Sequence, residues 1–252
     1  MNPDKANPIP LCRLCQEPRE LCDSHILPNL AYKETIDPNR HPRLIVVSAV
    51  PNNPAVDKSR QTGFTERLLC EGCERIVSPW ETYAANKLWN FPLPAPAKNV
   101  ISLNGLDYTK FKLFLLSFVW KASISSNRFF KCVNLGPHEE KIRKMLLAQD
   151  PGNSSEYGCS IFKLAADALL DFRQMIFEPF SVRLGQQNFM QFCFRGYVFQ
   201  FMVSKPLTND PFLPTFISEE GNLRIPETDV RTFRLLCKLI DRGIRTTREW
   251  PE

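Results

Sequence analysis

Two pairs of cysteines carry the clearest chemical signal in this sequence. Each pair has two residues between its members, Cys12 with Cys15 and Cys70 with Cys73. Two such pairs supply the four sulfur ligands of a tetrahedral structural zinc, with Zn–S distances of about 2.3 Å. The spacing therefore predicts one structural zinc, and the segment 16–69 between the pairs must form structure of its own.

A second set of zinc ligands is also open. Cys22 and His25 closely follow the first cysteine pair, and the four residues together would make a knuckle-like set in which His25 binds the ion. This alternative leaves the second pair without ligand partners, which favours the four-cysteine set. The other cysteines show no ligand spacing and are predicted to be buried thiols: Cys132, Cys159, Cys193 and Cys237.

The order of these motifs resembles that of the HNH, or ββα-metal, endonucleases, whose active site is braced by a four-cysteine zinc. The motifs are Cys12-Arg13-Leu14-Cys15, Ser24-His25-Ile26-Leu27-Pro28 and Leu69-Cys70-Glu71-Gly72-Cys73-Glu74. The resemblance covers residues 12–85. It implies a zinc-braced treble-clef module in which two strands and a helix surround the active site.

The resemblance also implies roles for individual residues. His25 falls on the family's general base, and Glu74, directly after the last cysteine, falls on its catalytic-metal position. Ser24 stands where the family has Asp or His, and Thr65 where it has the Asn that orients the histidine. With the nearest acidic substitutes included, the ligands implied for a catalytic Mg²⁺ or Mn²⁺ ion are Glu74, Ser24, Asp23 and Glu81.

The resemblance thus predicts metal-assisted hydrolysis of phosphodiester bonds in DNA. His25 would deprotonate the attacking water, and an ion on Glu74 would stabilise the charge on the leaving oxygen. The nearest basic residues for phosphate contacts are Lys33, Arg67 and Arg75. Proteins of this kind are similar to nucleases of bacterial anti-phage and mobile-element systems, often with an ATPase subunit as partner.

Two other functions stay open. A zinc-dependent nucleic-acid-binding module would keep the fold but lack cleavage, because of the changes at Ser24 and Thr65. A protein-interaction subunit would use the aromatic second half to dock another chain. The net charge of +5, from 32 Lys and Arg against 27 Asp and Glu, permits a polyanionic partner without requiring one.

The chain divides at a proline-rich stretch into two parts of different composition. Alternating prolines in residues 92–99 favour an extended linker. We predict a zinc-binding module over 1–91, which has few large apolar residues, and a substrate- or partner-binding domain over 100–252, which is rich in Phe and Leu. The expected fold class is α+β, a zinc module followed by helices and an antiparallel sheet.

Hydrophobic periodicity predicts the individual elements. We expect a strand over 44–50, an aromatic hairpin over 189–203, and helices over 78–89, 108–122, from 137, 161–175 and 229–242. Arg231, Arg234 and Lys238 share a face of the last helix, which we interpret as solvated. No apolar run reaches the ~20 residues of a bilayer span and no export signal is evident, so we expect a cytoplasmic protein.

Overall fold

The computed structural model describes residues 9–33, 45–48, 63–90, 93–204 and 211–247. Its strands are β1 (Leu21–His25), β2 (Ile45–Val47), β3 (Thr65–Cys70), β4 (Val100–Leu103), β5 (Cys159–Leu164), β6 (Met175–Leu184), β7 (Gln187–Phe194), β8 (Tyr197–Met202) and β9 (Leu223–Thr228). Its α-helices are α1 (Leu30–Lys33), α2 (Glu71–Ala85), α3 (Tyr108–Ile124), α4 (His138–Ala148) and α5 (Arg234–Thr247). The predicted α+β class is confirmed.

Seven of these strands form one mixed sheet in the order β2-β6-β7-β8-β5-β9-β4. The aromatic hairpin predicted over 189–203 is confirmed, since β7 and β8 pair antiparallel in register. Its two-residue turn is Arg195-Gly196, and both residues have positive φ, 49° and 75°. A two-residue turn of this kind matches the right-handed twist of the strands, and the glycine adopts its conformation without steric cost.

Helix α3 packs against one face of this sheet. The predicted helix over 108–122 is confirmed, and it begins after Asp107, whose side chain accepts a hydrogen bond from Lys110 N–H. Phe118 lies at the centre of the contact, with edge-on ring contacts to Phe192, Phe194, Phe199 and Phe201. The sheet, α2 and α4 cover α3 on different sides. Its apolar residues are therefore distributed around the whole helix and do not form a single stripe.

Strands β1 and β3 form a separate antiparallel pair, and α2 follows β3 directly. The register places His25 opposite Thr65 and Leu21 opposite Cys70. A β-bulge between Cys22 and Asp23 shifts the pairing by one residue on β3. The result is a strand–strand–helix unit with a long segment inserted between its two strands.

The predicted helix over 161–175 is wrong. Residues 159–164 are instead β5, which pairs with both β8 and β9. The chain then leaves the sheet through two side-chain turns: Asp167 accepts hydrogen bonds from the N–H groups of Leu169 and Leu170, and Asp171 accepts one from Arg173 N–H. Pairing on two sides and these local turns override the helix propensity of the Ala- and Leu-rich sequence.

Three predicted boundaries also change. The helix predicted to begin at Ser78 begins at Glu71, and Pro79 lies inside it. The last helix is preceded by a short 3₁₀ turn, Val230–Thr232, capped by the Asp229 side chain. The helix predicted from residue 137 is α4, His138–Ala148. The predicted strand over 44–50 corresponds to β2; Ser48 lies just beyond its end, and residues 44, 49 and 50 lie outside the described residues.

Buried apolar side chains run continuously from the first cysteine pair to the large sheet. One cluster contains Cys12, Trp80 of α2, Phe118 of α3 and Ile225 of β9. A second cluster, on the other face of the sheet, includes Leu236 and Ile240 of α5. Residues 93–96 of the predicted linker adopt no helix or strand. The boundaries 1–91 and 100–252 stay a prediction. No helix in the described part of the chain is long and apolar enough to cross a bilayer.

Candidate metal centre and active site

The four cysteines predicted to bind zinc lie together. The sulfur atoms of Cys12, Cys15, Cys70 and Cys73 all lie within 4.8 Å of one another. The sulfurs of Cys15 and Cys70 are 4.0 Å apart, close to the ~3.8 Å edge of a tetrahedron with Zn–S bonds of about 2.3 Å. The cluster therefore fits a single tetrahedral ion such as zinc.

Local backbone structure places the two pairs. The first pair sits in a tight turn, closed by a hydrogen bond from Gln16 N–H to the Cys12 carbonyl, and Gln16 has a positive φ of 63°. Arg13 N–H donates to the Leu68 carbonyl and so attaches this turn to β3. The second pair straddles the start of α2: Cys70 ends β3 and Cys73 lies in the first helical turn.

The surroundings favour thiolate at one cysteine in particular. Cys12 is fully buried, and its sulfur accepts a hydrogen bond of 3.3 Å from Cys70 N–H. Burial raises the pKa of Cys12, but hydrogen bonds from the backbone of Cys15, Cys70 and Leu14 outweigh it and lower the pKa to about 7. Burial and the neighbouring sulfurs raise the pKa of Cys73. A cation is the natural compensation for four sulfurs in so small a volume.

The alternative zinc set with Cys22 and His25 does not form. Among the described residues, the four cysteines are the one group of three or more His, Cys, Asp and Glu side chains placed for a common ion. Cys22 lies on β1 opposite Leu69, and His25 lies at the far end of that strand, opposite Thr65. They lie three positions apart on an extended strand, so their side chains point to opposite faces.

His25 lies at the open end of the β1–β3 pair and is half-buried. Its ring packs at 6.1 Å from the ring of Tyr32 in α1. The Tyr32 hydroxyl accepts a hydrogen bond of 3.0 Å from Phe64 N–H. Burial raises the pKa of Tyr32, as does the negative charge of Glu81. The histidine is thus held beside a neutral phenol.

Glu74 has an unusual environment for a carboxylate. It lies in the first turn of α2, directly after Cys73, and one of its oxygens, Oε1, is buried without a hydrogen-bond partner among the described residues. Its negative charge also raises the pKa of Cys22, in addition to the effect of burial. A buried carboxylate oxygen without a donor costs free energy, and a bound cation would offset that cost.

Ser24 and Asp23 have different positions. Ser24 is buried, and its hydroxyl oxygen accepts a hydrogen bond of 3.1 Å from Leu69 N–H. The bulge in the β1–β3 pairing lies beside this contact and interrupts the hydrogen bonds between the two strands. The Ser24 hydroxyl therefore serves as the acceptor for Leu69 N–H at this point. Asp23 is exposed on β1, opposite Arg67. Together with Glu74, His25 and Glu81, these residues form no preassembled group for a second ion within the described part of the chain.

Glu81 is already engaged in an ion pair. Its Oε1 lies 2.6 Å from Lys121 Nζ of α3, and the two side chains are 19% and 2% exposed. The pair joins α2 to α3 in a largely buried position. Glu81, which the sequence offered as a substitute metal ligand, therefore holds α2 against α3 instead.

Of the predicted phosphate-contact residues, two make intramolecular contacts. Arg67 donates two hydrogen bonds to the Leu21 carbonyl, at 2.9 and 3.1 Å. Arg75 forms an exposed ion pair with Glu71 one turn earlier on α2. The Lys33 side chain lies outside the described part of the structure.

Arg143 is a neighbour of the metal centre that sequence reasoning missed. Its Nη1 donates a hydrogen bond of 2.5 Å to the Leu14 carbonyl, inside the turn between the first two cysteines. A hydrogen bond with Glu140 raises the pKa of Arg143, as does the negative charge of Cys15. Arg143 lies on α4, far from the cysteines in sequence, so no local pattern could have indicated this contact.

The comparisons with known proteins add no relative. The chain matches no protein-family model, and no curated protein or solved structure is significantly similar to it.

Proposed function

We propose that this chain is a zinc-braced ββα nuclease that hydrolyses phosphodiester bonds in DNA, in the manner of the HNH endonucleases that its motifs resemble. In this proposal the first cysteine pair, the β1–β3 pair and α2 make up a treble clef around the zinc. The observation that carries the proposal is the buried, unpartnered carboxylate oxygen of Glu74, one residue after the last cysteine of the cluster. That position is where the family binds its catalytic ion.

The proposed chemistry assigns one task to each of two side chains. The His25 imidazole accepts a proton from the attacking water, the general-base role that histidine most often fills. Glu74 would provide an anionic oxygen ligand of the kind that Mg²⁺ or Mn²⁺ prefers. A divalent ion bound there would stabilise negative charge on the scissile phosphate and the leaving oxygen. The Tyr32 ring limits the orientations open to His25.

The test is cleavage of supercoiled plasmid by the zinc-loaded protein with Mg²⁺ or Mn²⁺. We expect His25→Ala and Glu74→Gln each to lower the cleavage rate by at least about 100-fold. Glu71→Gln is the matched control, because Glu71 is also a first-turn glutamate of α2 but is exposed and paired with Arg75. Cleavage that survives both site variants would refute the assignment, provided that each variant retains its zinc.

A second candidate function is a zinc-dependent DNA-binding module without cleavage. The observation that favours it is Ser24, which stands where the family has Asp or His and whose hydroxyl oxygen accepts a hydrogen bond from Leu69 N–H. This candidate predicts DNA binding that weakens steeply with salt, but no nicking of plasmid with either ion. A protein-interaction subunit, for example beside an ATPase, would bind no DNA even at low salt.

A further inference from the structure

A short segment from the second half of the chain is attached to the start of β3, at the end of the β1–β3 pair where His25 pairs with Thr65. The carboxylate of Glu66 accepts hydrogen bonds from the Ser125 hydroxyl, at 2.7 Å, and from Ser126 N–H, at 3.0 Å. Glu66 pairs with Ser24 across the strands. The segment 125–131, which follows α3, therefore lies against the residues that hold His25.

Aromatic packing fixes the same segment from a second side. The ring of Phe64, which precedes β3, stacks on Phe129 at 4.3 Å and meets Phe130 edge-on at 5.2 Å. All three side chains are buried. Phe64 N–H in turn donates to the hydroxyl of Tyr32, the residue whose ring packs against His25. A continuous set of contacts thus connects His25 to this segment.

The segment presents two cations on one side. Residues 128–130 form a 3₁₀ turn that begins at the Asn127 side chain, and Lys131 N–H closes it by donating to the Arg128 carbonyl at 3.2 Å. Side chains three residues apart in a 3₁₀ turn point in the same direction, so those of Arg128 and Lys131 lie side by side. Both are exposed, and neither has a carboxylate partner among the described residues.

Two like charges on one side of a turn, without a carboxylate partner in the described part of the chain, favour an anion that lies between or across them. The arginines nearest the site in sequence cannot take this role without breaking contacts, because Arg67 binds the Leu21 carbonyl and Arg75 binds Glu71. Within the ranges that the structure describes, Arg128 and Lys131 make no such contacts. They are therefore a pair of exposed cations, on a turn anchored to β3 through Glu66, that is placed to meet a polyanion.

We propose that Arg128 and Lys131 form a phosphate-binding pair that contacts the DNA backbone beside the β1–β3 pair, on the side to which the segment 125–131 is attached. The inference rests on the proposed function, since it extends the same DNA surface beyond the ββα unit. In this arrangement the second half of the chain contributes directly to substrate binding. Contacts to phosphates fix the position of the duplex and carry no sequence information, so binding through this pair is expected to be insensitive to sequence.

The experiment measures the affinity of the zinc-loaded full chain for a DNA duplex over a range of KCl concentrations, without divalent ions. We expect Arg128→Gln/Lys131→Gln to weaken binding about tenfold at low salt and to reduce the slope of log K against log salt by about 2, as two lost phosphate contacts require. The matched control is Arg183→Gln/Arg224→Gln, which removes the same charge from exposed positions on β6 and β9. Zinc content and thermal unfolding check the fold of both.

The outcomes separate this inference from the proposed function. If the wild-type chain binds and cleaves DNA but both double variants bind like the wild type, the phosphate pair is refuted and the function stands. If the control weakens binding as much as the test variant, net charge alone explains the effect and the pair is again refuted. If the wild-type chain binds no duplex at low salt, both proposals fall.

Discussion

Ser24 shows how a single residue can serve the fold at a position where a catalytic group is expected. Its hydroxyl oxygen accepts the Leu69 N–H at the β-bulge, in a site from which water is excluded. An aspartate there would have to bury a charge, whereas serine supplies the acceptor without one. Ser24 therefore contributes to the register that brings His25 opposite Thr65.

Replacing this hydroxyl tests that role. We expect Ser24→Ala to lower the free energy of unfolding by about 1–3 kcal/mol, because the buried Leu69 N–H loses its acceptor. Chemical denaturation of the zinc-loaded protein measures the change. Ser102→Ala, at an exposed serine of β4, is the matched control and should change stability by no more than about 0.5 kcal/mol. Equal effects for the two variants would contradict a structural role for the Ser24 hydroxyl.

Lys112 predicts a dependence of stability on pH. It is buried in α3 and donates to the carbonyls of Asn153 and Glu156 at 3.1 and 2.7 Å. Burial lowers the pKa of Lys112 from 10.5 to about 8. Between these values the unfolded chain binds more protons than the folded chain, so this residue makes stability rise with pH. Below pH 8 the cost of burying the charge is present in full.

The matching measurement compares the wild type with Lys112→Met by denaturation at several pH values. The stability of the wild type relative to the variant should increase from pH 8 to pH 10, by at most about 1.4 kcal/mol per pH unit. Groups that titrate equally in both proteins cancel in the difference. A difference that stays constant, or falls, over this range would show that Lys112 keeps its ordinary pKa in the folded protein.

At the scale of elements, α2 connects the metal centre to the rest of the protein. It begins at the second cysteine pair, packs on β3, and contacts α3 through its far end. The ion pair of Glu81 with Lys121 lies in that contact and is almost fully removed from solvent. In such a position the loss of one partner is expected to cost more than the loss of both.

A double-mutant comparison tests this expectation. Lys121→Met leaves the Glu81 carboxylate buried without its cation, and we expect it to lower the free energy of unfolding by about 3–5 kcal/mol. The double variant Glu81→Leu/Lys121→Met removes both charges and should be clearly more stable than the single variant. Urea denaturation of the zinc-loaded proteins gives both values. A double variant as unstable as the single one would mean that packing, and not charge, dominates this contact.

The elements also show which features the sequence could predict. The cysteine spacing was enough to predict that the four thiols come together in a cluster that could hold a metal ion, since it is a local pattern with one common chemical explanation. The periodicity of α3 and the alternation in β7 and β8 were enough for those elements. Residues 161–175 were not predictable in this way, because their conformation depends on pairing with β8 and β9. The start of α2 was missed because Pro79 suggests a first helical position but lies within the helix.

For the molecule as a whole, the metal centre belongs to the main hydrophobic core. Cys12, Cys70 and Cys73 share one buried cluster with residues of α3 and of the large sheet. Arg143 of α4 adds a polar connection by donating to the Leu14 carbonyl in the first cysteine turn. The shared core and the Arg143 hydrogen bond both join residues that are distant in sequence. The composition of the two halves could not indicate either contact.

This continuity predicts that zinc removal affects the whole chain. We expect one cooperative thermal transition in the zinc-loaded protein, and a decrease in its midpoint of at least about 10 °C after chelation or with Cys73→Ser, because a loss of some 5 kcal/mol corresponds to that shift at this size. Cys193→Ser, at a buried cysteine outside the cluster, controls for the loss of a core thiol and should retain one zinc per chain. Circular dichroism follows the transition of the whole chain, and metal analysis checks that the zinc has been removed. If chelation left the midpoint unchanged, or split the transition so that part of the chain kept its original midpoint, the two halves would be energetically independent despite their shared core.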